Sequence, residues 1–351
     1  MAERVILHVG AMKTGTSFIQ KRLVQNGEAL RSQGILFPGR GWNDQVLAVS
    51  EVLERRRQGL GGERTGKWAS LVEEMAAWPG TAVVSMEFLG QAGPPKIAKV
   101  VESFPDSDLQ VVLGLRDLNR TIPAMWQEAL KNGKAWTWEE YLEGVRRESG
   151  PAGNQFWREQ AAYLMAKRWV EAVGREHFTL LTVPPPGAAP DVLWERFCQV
   201  AGIDPESCAP VAPANESLGA ASAVLLQRVN AVLEEDDVEW RGYLKHVKHG
   251  LAKKILAPHR TDEEPLGLPV TSWVQQRSRV MVRRLGKLGV RVVGDLSELE
   301  PVDVPGVDAG SVTDSQQVDA AVAALVGLLE RQIRENGNGG PRQSGNPQQG
   351  R

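Results

Sequence analysis

Short apolar runs alternate with amphipathic stretches along this chain, and that alternation predicts its architecture. Val5, Ile6, Leu7 and Val9 form a run that breaks at Gly10, and a helix follows from near Thr16 with Phe18, Ile19 and Leu23 on its inner face. Gly34 to Pro38 is short and strand-like, residues 43–58 and 66–78 have helical spacing, and Thr81 to Ser85 is a buried strand. Leu109 to Arg116 is the next strand, and Asp117 to Glu128 opens a helix with Ile122, Met125 and Trp126 as its stripe and Asp117 or Asn119 as its cap. Helices near 137–147 and 157–173 precede a strand at His177–Val183, and a helix over about 314–335 comes late in the chain. Strands separated by helices imply an α/β fold, a mostly parallel sheet with helices on both faces. The expected division is an α/β domain over 1–302, a linker and helix over 303–335, and a low-complexity, disordered tail over 336–351 rich in Gly, Asn, Gln and Pro.

The first strand–loop–helix junction carries the chemistry. Gly10-Ala-Met-Lys-Thr-Gly-Thr-Ser17 fits the outline of a phosphate-binding loop, in which free backbone N–H groups and the positive end of a helix dipole face one anion. A nucleoside-triphosphatase loop has Lys directly after its second Gly; here that place is Thr16, and the loop's only cation, Lys13, lies three residues earlier. The cradle is therefore P-loop-like without the arrangement that hydrolyses nucleotides.

With that lysine placement, the segment resembles the 5′-phosphosulfate loop of sulfotransferases that use 3′-phosphoadenosine-5′-phosphosulfate (PAPS). The resemblance implies that Lys13 contacts the oxygen bridging sulfate and phosphate, and that Thr14, Gly15, Thr16 and Ser17 hold the 5′-phosphate. An ammonium and several N–H donors fixed where negative charge develops would stabilise such a transfer. The second segment is similar to the family's 3′-phosphate site, with Arg116 as the phosphate-binding arginine. Leu118 replaces the usual Pro, and Ala124 stands where a Ser is expected; Arg120, Thr121 and Gln127 lie three or four residues from Ala124 and are the candidate substitutes. Weaker likenesses are Asn215-Glu-Ser-Leu218, read as a helix cap, and Val292-Val-Gly-Asp-Leu296, so the resemblance spans about residues 4–302.

Two residues compete for the base that would deprotonate an acceptor hydroxyl. Glu87 follows the strand ending at Ser85 and would share the carboxyl end of the sheet with Ser17 and Arg116 if the three strands are parallel neighbours. His8 lies two residues before Gly10 and could instead orient the loop through a ring hydrogen bond. Lys245-His-Val-Lys-His249, with Lys253 and Lys254, reads as a basic helix face suited either to solvent or to an anionic ligand. Trp126, Trp136, Trp138 and Trp157 could line a sugar or lipid cleft or simply fill a core.

Composition narrows the rest. A formal net charge of −2 over 351 residues argues against a general nucleic-acid binder. Cys198 and Cys208 make no metal spacing or disulfide framework, and no metal is expected. With no membrane-spanning apolar run and no signal peptide before the first strand, a cytoplasmic location is the expectation. The reading is thus a PAPS-dependent sulfotransferase acting on a hydroxyl-bearing carbohydrate, lipid or small metabolite. A P-loop kinase or nucleoside triphosphatase, and a nucleotide-binding protein without turnover, are the alternatives.

Overall fold

A computed structural model describes residues 2–55, 65–212, 217–236 and 238–337. Its centre is a six-stranded sheet, all parallel: β1 (Arg4–His8), β2 (Ile35–Leu36), β3 (Thr81–Ser85), β4 (Asp108–Leu115), β5 (Phe178–Thr182) and β6 (Arg291–Val293), in the order β2-β3-β1-β4-β5-β6. The helices that matter below are α1 (Thr16–Gln25), α2 (Trp42–Val52), α3 (Lys67–Ala76), α4 (Pro94–Val101), α5 (Leu118–Lys131), α6 (Trp138–Arg147), α7 (Gly150–Gln160), α8 (Ala162–Val173), α9 (Val192–Ala201), α10 (Ala220–Glu235), α11 (Ser272–Gly286) and α12 (Asp314–Gly337). A π-helical segment, Tyr243–Leu256, lies between α10 and α11.

Alternation along β1 fixes which helices cover which face. Val5 and Leu7 join Val84, Val111 and Leu113 on one side, where Ile97 of α4 and Met165 and Trp169 of α8 cover them. Ile6 points the other way with Val83, Val112 and Leu181, against Ile19 and Leu23 of α1 and Trp194 and Phe197 of α9. A third core stands off the sheet: Ile122, Trp126 and Leu130 of α5 pack with Trp138, Tyr141 and Phe156 and with Leu226, Leu256 and Ala324 from the later helices. α5 thus has the sheet end on one side and a helical layer on the other.

Three local expectations need correction, and one choice left open is decided. The helix expected over 43–58 ends at Val52, because Glu54 turns into the left-handed region (φ 51°) with Lys96 and Lys99 on its carboxylate; residues 56–58 lie outside the described residues. The single helix expected over 157–173 is two, interrupted at Ala161, where the chain turns so that Gln160 reaches Met12. Asn215 and Glu216 lie outside the described residues, and α10 starts without a side-chain cap from Ser217; Glu263 accepts from the Ser222 amide instead. Of the indoles, Trp126 and Trp138 are buried 5.0 Å apart in the third core, their N–H groups donating to Trp136 O and Asp308, so they line no cleft. No helix among the described residues is long and apolar enough to cross a membrane.

Candidate anion site at the carboxyl end of the sheet

β3, β1 and β4 are parallel neighbours, with His8 opposite Ser85 on one side and Val112 on the other. The loop after β1, the turn after β3 and the end of β4 therefore emerge at the same end of the sheet. Backbone hydrogen bonds tie the loop to β4: the Ala11 amide donates to Gly114 O at 2.7 Å, and the Gly114 amide donates to Gly10 O. A side chain at Gly114 would not fit, since its Cβ would lie 2.9 Å from Thr14 Oγ1 and 3.2 Å from Gly10 O. Gly15 caps α1 in the left-handed region (φ 81°), and a Cβ there would overlap Leu193.

This geometry leaves a run of loop donors unpaired. The amides of Met12 to Ser17 have no hydrogen-bond partner among the described residues, and Gly15 O starts the helix by accepting from Phe18 and Ile19. Thr14 is buried, its hydroxyl donating to Ala11 O at 2.7 Å, so it shapes the loop. Thr16 is buried as well, whereas Ser17 is exposed on the first turn of α1. Lys13 takes a left-handed conformation (φ 63°) and sends its ammonium to Glu128 of α5, Nζ to Oε2 2.6 Å.

Arg116 follows β4 directly and meets the loop from the other side, Nη1 donating to Lys13 O at 3.4 Å. Its Nε is buried with no partner among the described residues. Burial, and then the neighbouring Arg120 charge, lower its guanidinium to about 10 against the opposing pull of Asp117. A desolvated guanidinium with an unanswered donor is a strong attractor for an anion. The three other candidates for the second phosphate are engaged within the protein. Arg120 pairs with Asp117, the cap of α5, and donates to Pro184 O at 3.1 Å. Thr121 is buried and donates to Asp117 O at 2.8 Å. Gln127 forms two bonds with the backbone of Leu218.

The two base candidates part ways. Glu87 starts a 3₁₀ turn after β3, and its backbone packs on Gly10, where a Cβ would come within 2.9 Å of Glu87 O. Its half-buried carboxylate accepts from Gln20 Nε2 at 3.1 Å, and the same amide reaches Ser85 O at 3.0 Å. His8 is completely buried: Nδ1 lies 2.8 Å from Ser85 Oγ, the ring packs on Phe197, and Nε2 has no partner among the described residues. Burial lowers its pKa to about 4, so the ring is neutral at pH 7.

Glu128 was not among the sequence candidates, although it lies one helical turn beyond Ala124 on the α5 face that carries the expected phosphate contact. Lys248, from the basic stretch in the π-helical segment, approaches its other oxygen at 3.5 Å and donates to Asn132 at 2.6 Å. Burial alone would raise the Glu128 carboxyl, but the charges of Lys13, Lys248 and Lys131 and the Lys13 hydrogen bond outweigh it and hold the group at about 2. Two more residues were missed. Gln160 donates to Met12 O at 2.9 Å, and the adjacent Glu159 carboxyl is raised mainly by burial. No sequence spacing connects α7 with the loop.

Fold and geometry together define an α/β protein with a candidate anion site at the carboxyl ends of three adjacent parallel strands. Among the described residues no cluster of three His, Cys, Asp or Glu side chains forms a metal-sized site. No family model matches the chain, and no curated protein matches it. Among solved structures, a sulfotransferase from Alicyclobacillus acidocaldarius is similar over 70% of this chain and 97% of that one, with 17% sequence identity and a TM-score of 0.41.

Proposed function

We propose that this protein is a sulfotransferase that moves a sulfuryl group from PAPS to an acceptor hydroxyl. One observation carries the reading. Among the described residues, six consecutive loop amides and the buried Nε of Arg116 lack partners, and they lie at the end of the sheet where Lys13 is held by Glu128. These donors suit a phosphate-linked dianion, and the lysine lies on the loop itself instead of at the start of the helix, where a nucleoside triphosphatase needs it.

In this reading the amides of Thr14, Gly15, Thr16 and Ser17, with the exposed Ser17 hydroxyl, hold the 5′ end of the donor. Arg116 supplies the arginine contact to phosphate oxygen. Glu87 takes the proton of the acceptor hydroxyl as its oxygen attacks sulfur, and the bond from sulfur to the bridging oxygen breaks. Lys13 neutralises the charge that grows on the departing phosphate, and adenosine 3′,5′-bisphosphate leaves. His8, neutral and sealed between β1 and α9, orients Ser85 and takes no proton from the acceptor. The acceptor class is a hydroxyl-bearing carbohydrate, lipid or small metabolite.

Calorimetry on the full chain tests this directly. Adenosine 3′,5′-bisphosphate should bind with or without magnesium, more tightly than magnesium-ATP, and Arg116→Ala should weaken it. A preference for magnesium-ATP would overturn the reading in favour of a kinase or nucleoside triphosphatase. Bisphosphate binding without sulfuryl transfer to any acceptor in a mass-spectrometric screen would favour a binding protein.

A further inference from the structure

α12 has two apolar faces and only one of them is covered. Ala320, Ala324 and Gly327 point into the molecule, where Gly327 packs on Ile255, and Arg331 reaches Gly250. These small residues let α12 lie close against α10 and the π-helical segment. On the opposite face Val318, Val322, Leu325, Val326, Leu329 and Ile333 form a stripe, with Leu328 beside it, and each of the seven is 41 to 70% exposed. That leaves roughly 600 Å² of apolar surface bare in one strip, at the upper end for a monomer. Two such strips would cover about 1,200 Å², where specific interfaces begin.

The spacing identifies the occupant. The stripe reads the same in both directions about the point between Leu325 and Val326: Val322 and Leu329 are equidistant from it, and so are Val318 and Ile333. We infer that α12 is a homodimerisation element, in which a second copy packs antiparallel across a twofold axis at Leu325 and Val326. Val318 then meets the partner's Ile333, Val322 the partner's Leu329, and Leu325 the partner's Val326, which is the self-complementary surface that a twofold interface requires. The helix carries Asp314, Asp319, Glu330 and Glu335 against Arg331 and Arg334, so its net charge is negative and it lacks the basic flank with which amphipathic helices hold anionic membranes. Residues 338–351 contain no apolar side chain other than two prolines and do not complement the stripe. The inference is independent of the proposed activity.

Sedimentation velocity of the full chain at micromolar concentration should give a dimer, and Leu325→Glu should halve the mass while keeping the far-ultraviolet circular dichroism. Oxidative crosslinking tests the register and stands even if that variant fails to fold. Leu325→Cys alone should link two copies, because the two positions face each other across the axis. Val318→Cys alone should not, since its two copies would lie about 22 Å apart along the helices, whereas Val318→Cys combined with Ile333→Cys should. The native Cys198 and Cys208 are buried and do not interfere. A monomeric wild type, or a Val318→Cys variant that links as well as Leu325→Cys and so reports parallel packing, would overturn the inference. So would uptake of the wild-type chain by vesicles of anionic lipid with no dimer in solution.

Discussion

Glu128→Gln tests how the site holds its key cation. The carboxylate has Lys13 at 2.6 Å and Lys248 at 3.5 Å, and it is held at about 2 against an ordinary 4.5. That displacement corresponds to roughly 3 kcal/mol in favour of the ionised, folded form. The Lys13 side chain is 25% exposed, and solvent screening there reduces the usable part to about 2 kcal/mol. For a chain of this length such a loss lowers the melting temperature by roughly 2 to 3 °C. The glutamine keeps the shape and removes the charge, so scanning calorimetry at pH 7 should show the drop. The sign in pH follows from the depressed value. The unfolded carboxyl takes its proton first as pH falls, so the carboxylate's contribution is complete above about pH 5 and fades between about 4.5 and 2. Wild type and variant should therefore converge at low pH. Removal of the carboxylate also frees Lys13 for an incoming anion, so adenosine 3′,5′-bisphosphate should bind the variant more tightly, by up to roughly tenfold. Equal melting temperatures and equal affinities at pH 7 would refute the view that Glu128 and the ligand compete for Lys13.

Further outcomes follow from neighbouring contacts. Under the proposed mechanism, Lys13→Ala should lower kcat far more than it weakens bisphosphate binding, which steady-state kinetics beside calorimetry will show, because the amides would still hold the phosphate while the charge proposed to stabilise the leaving group is gone. Gly114→Ala should weaken bisphosphate binding, measured by titration, since the new Cβ displaces Thr14 and Gly10 from the loop. His8, with a folded pKa of about 4 against an ordinary 6.5, favours the folded state above about pH 6.5. Urea unfolding should therefore show stability falling by up to about 3 kcal/mol as pH drops from 6.5 to 4, and His8→Asn should flatten that dependence.

The sheet was legible because its central strands are apolar runs that a parallel, doubly covered sheet requires, and the strand–loop–helix junction was legible because Lys13, two glycines and three hydroxyl residues fall within eight consecutive positions. What resisted reading was whatever depends on meeting across the chain. Trp126 and Trp138 look alike in a cleft or a core, and only the later helices packing over α5 decide for the core. The break between α7 and α8 has no proline or glycine to announce it; it accompanies a glutamine reaching a carbonyl 148 residues away.

The same limit explains why Glu128 was invisible as a site residue. Read locally, it is an exposed-face glutamate on an amphipathic helix; in the fold it is the point where the helical layer touches the loop. Lys13 is contributed by the conformationally constrained loop, Glu128 by α5 and Lys248 by the π-helical segment, so one carboxylate joins three separate parts of the chain. An anion that draws Lys13 away leaves Glu128 with Lys248, and the charge of the helical layer is then balanced differently. Ligand binding at the sheet end should accordingly alter the packing of Tyr243–Leu256 against α5. Hydrogen exchange of that segment, with and without adenosine 3′,5′-bisphosphate, reads the coupling: changed protection at Lys248 and its neighbours is the expected result. Exchange that changes only at Met12 to Ser17 would mean that the carboxylate merely holds the lysine and transmits nothing.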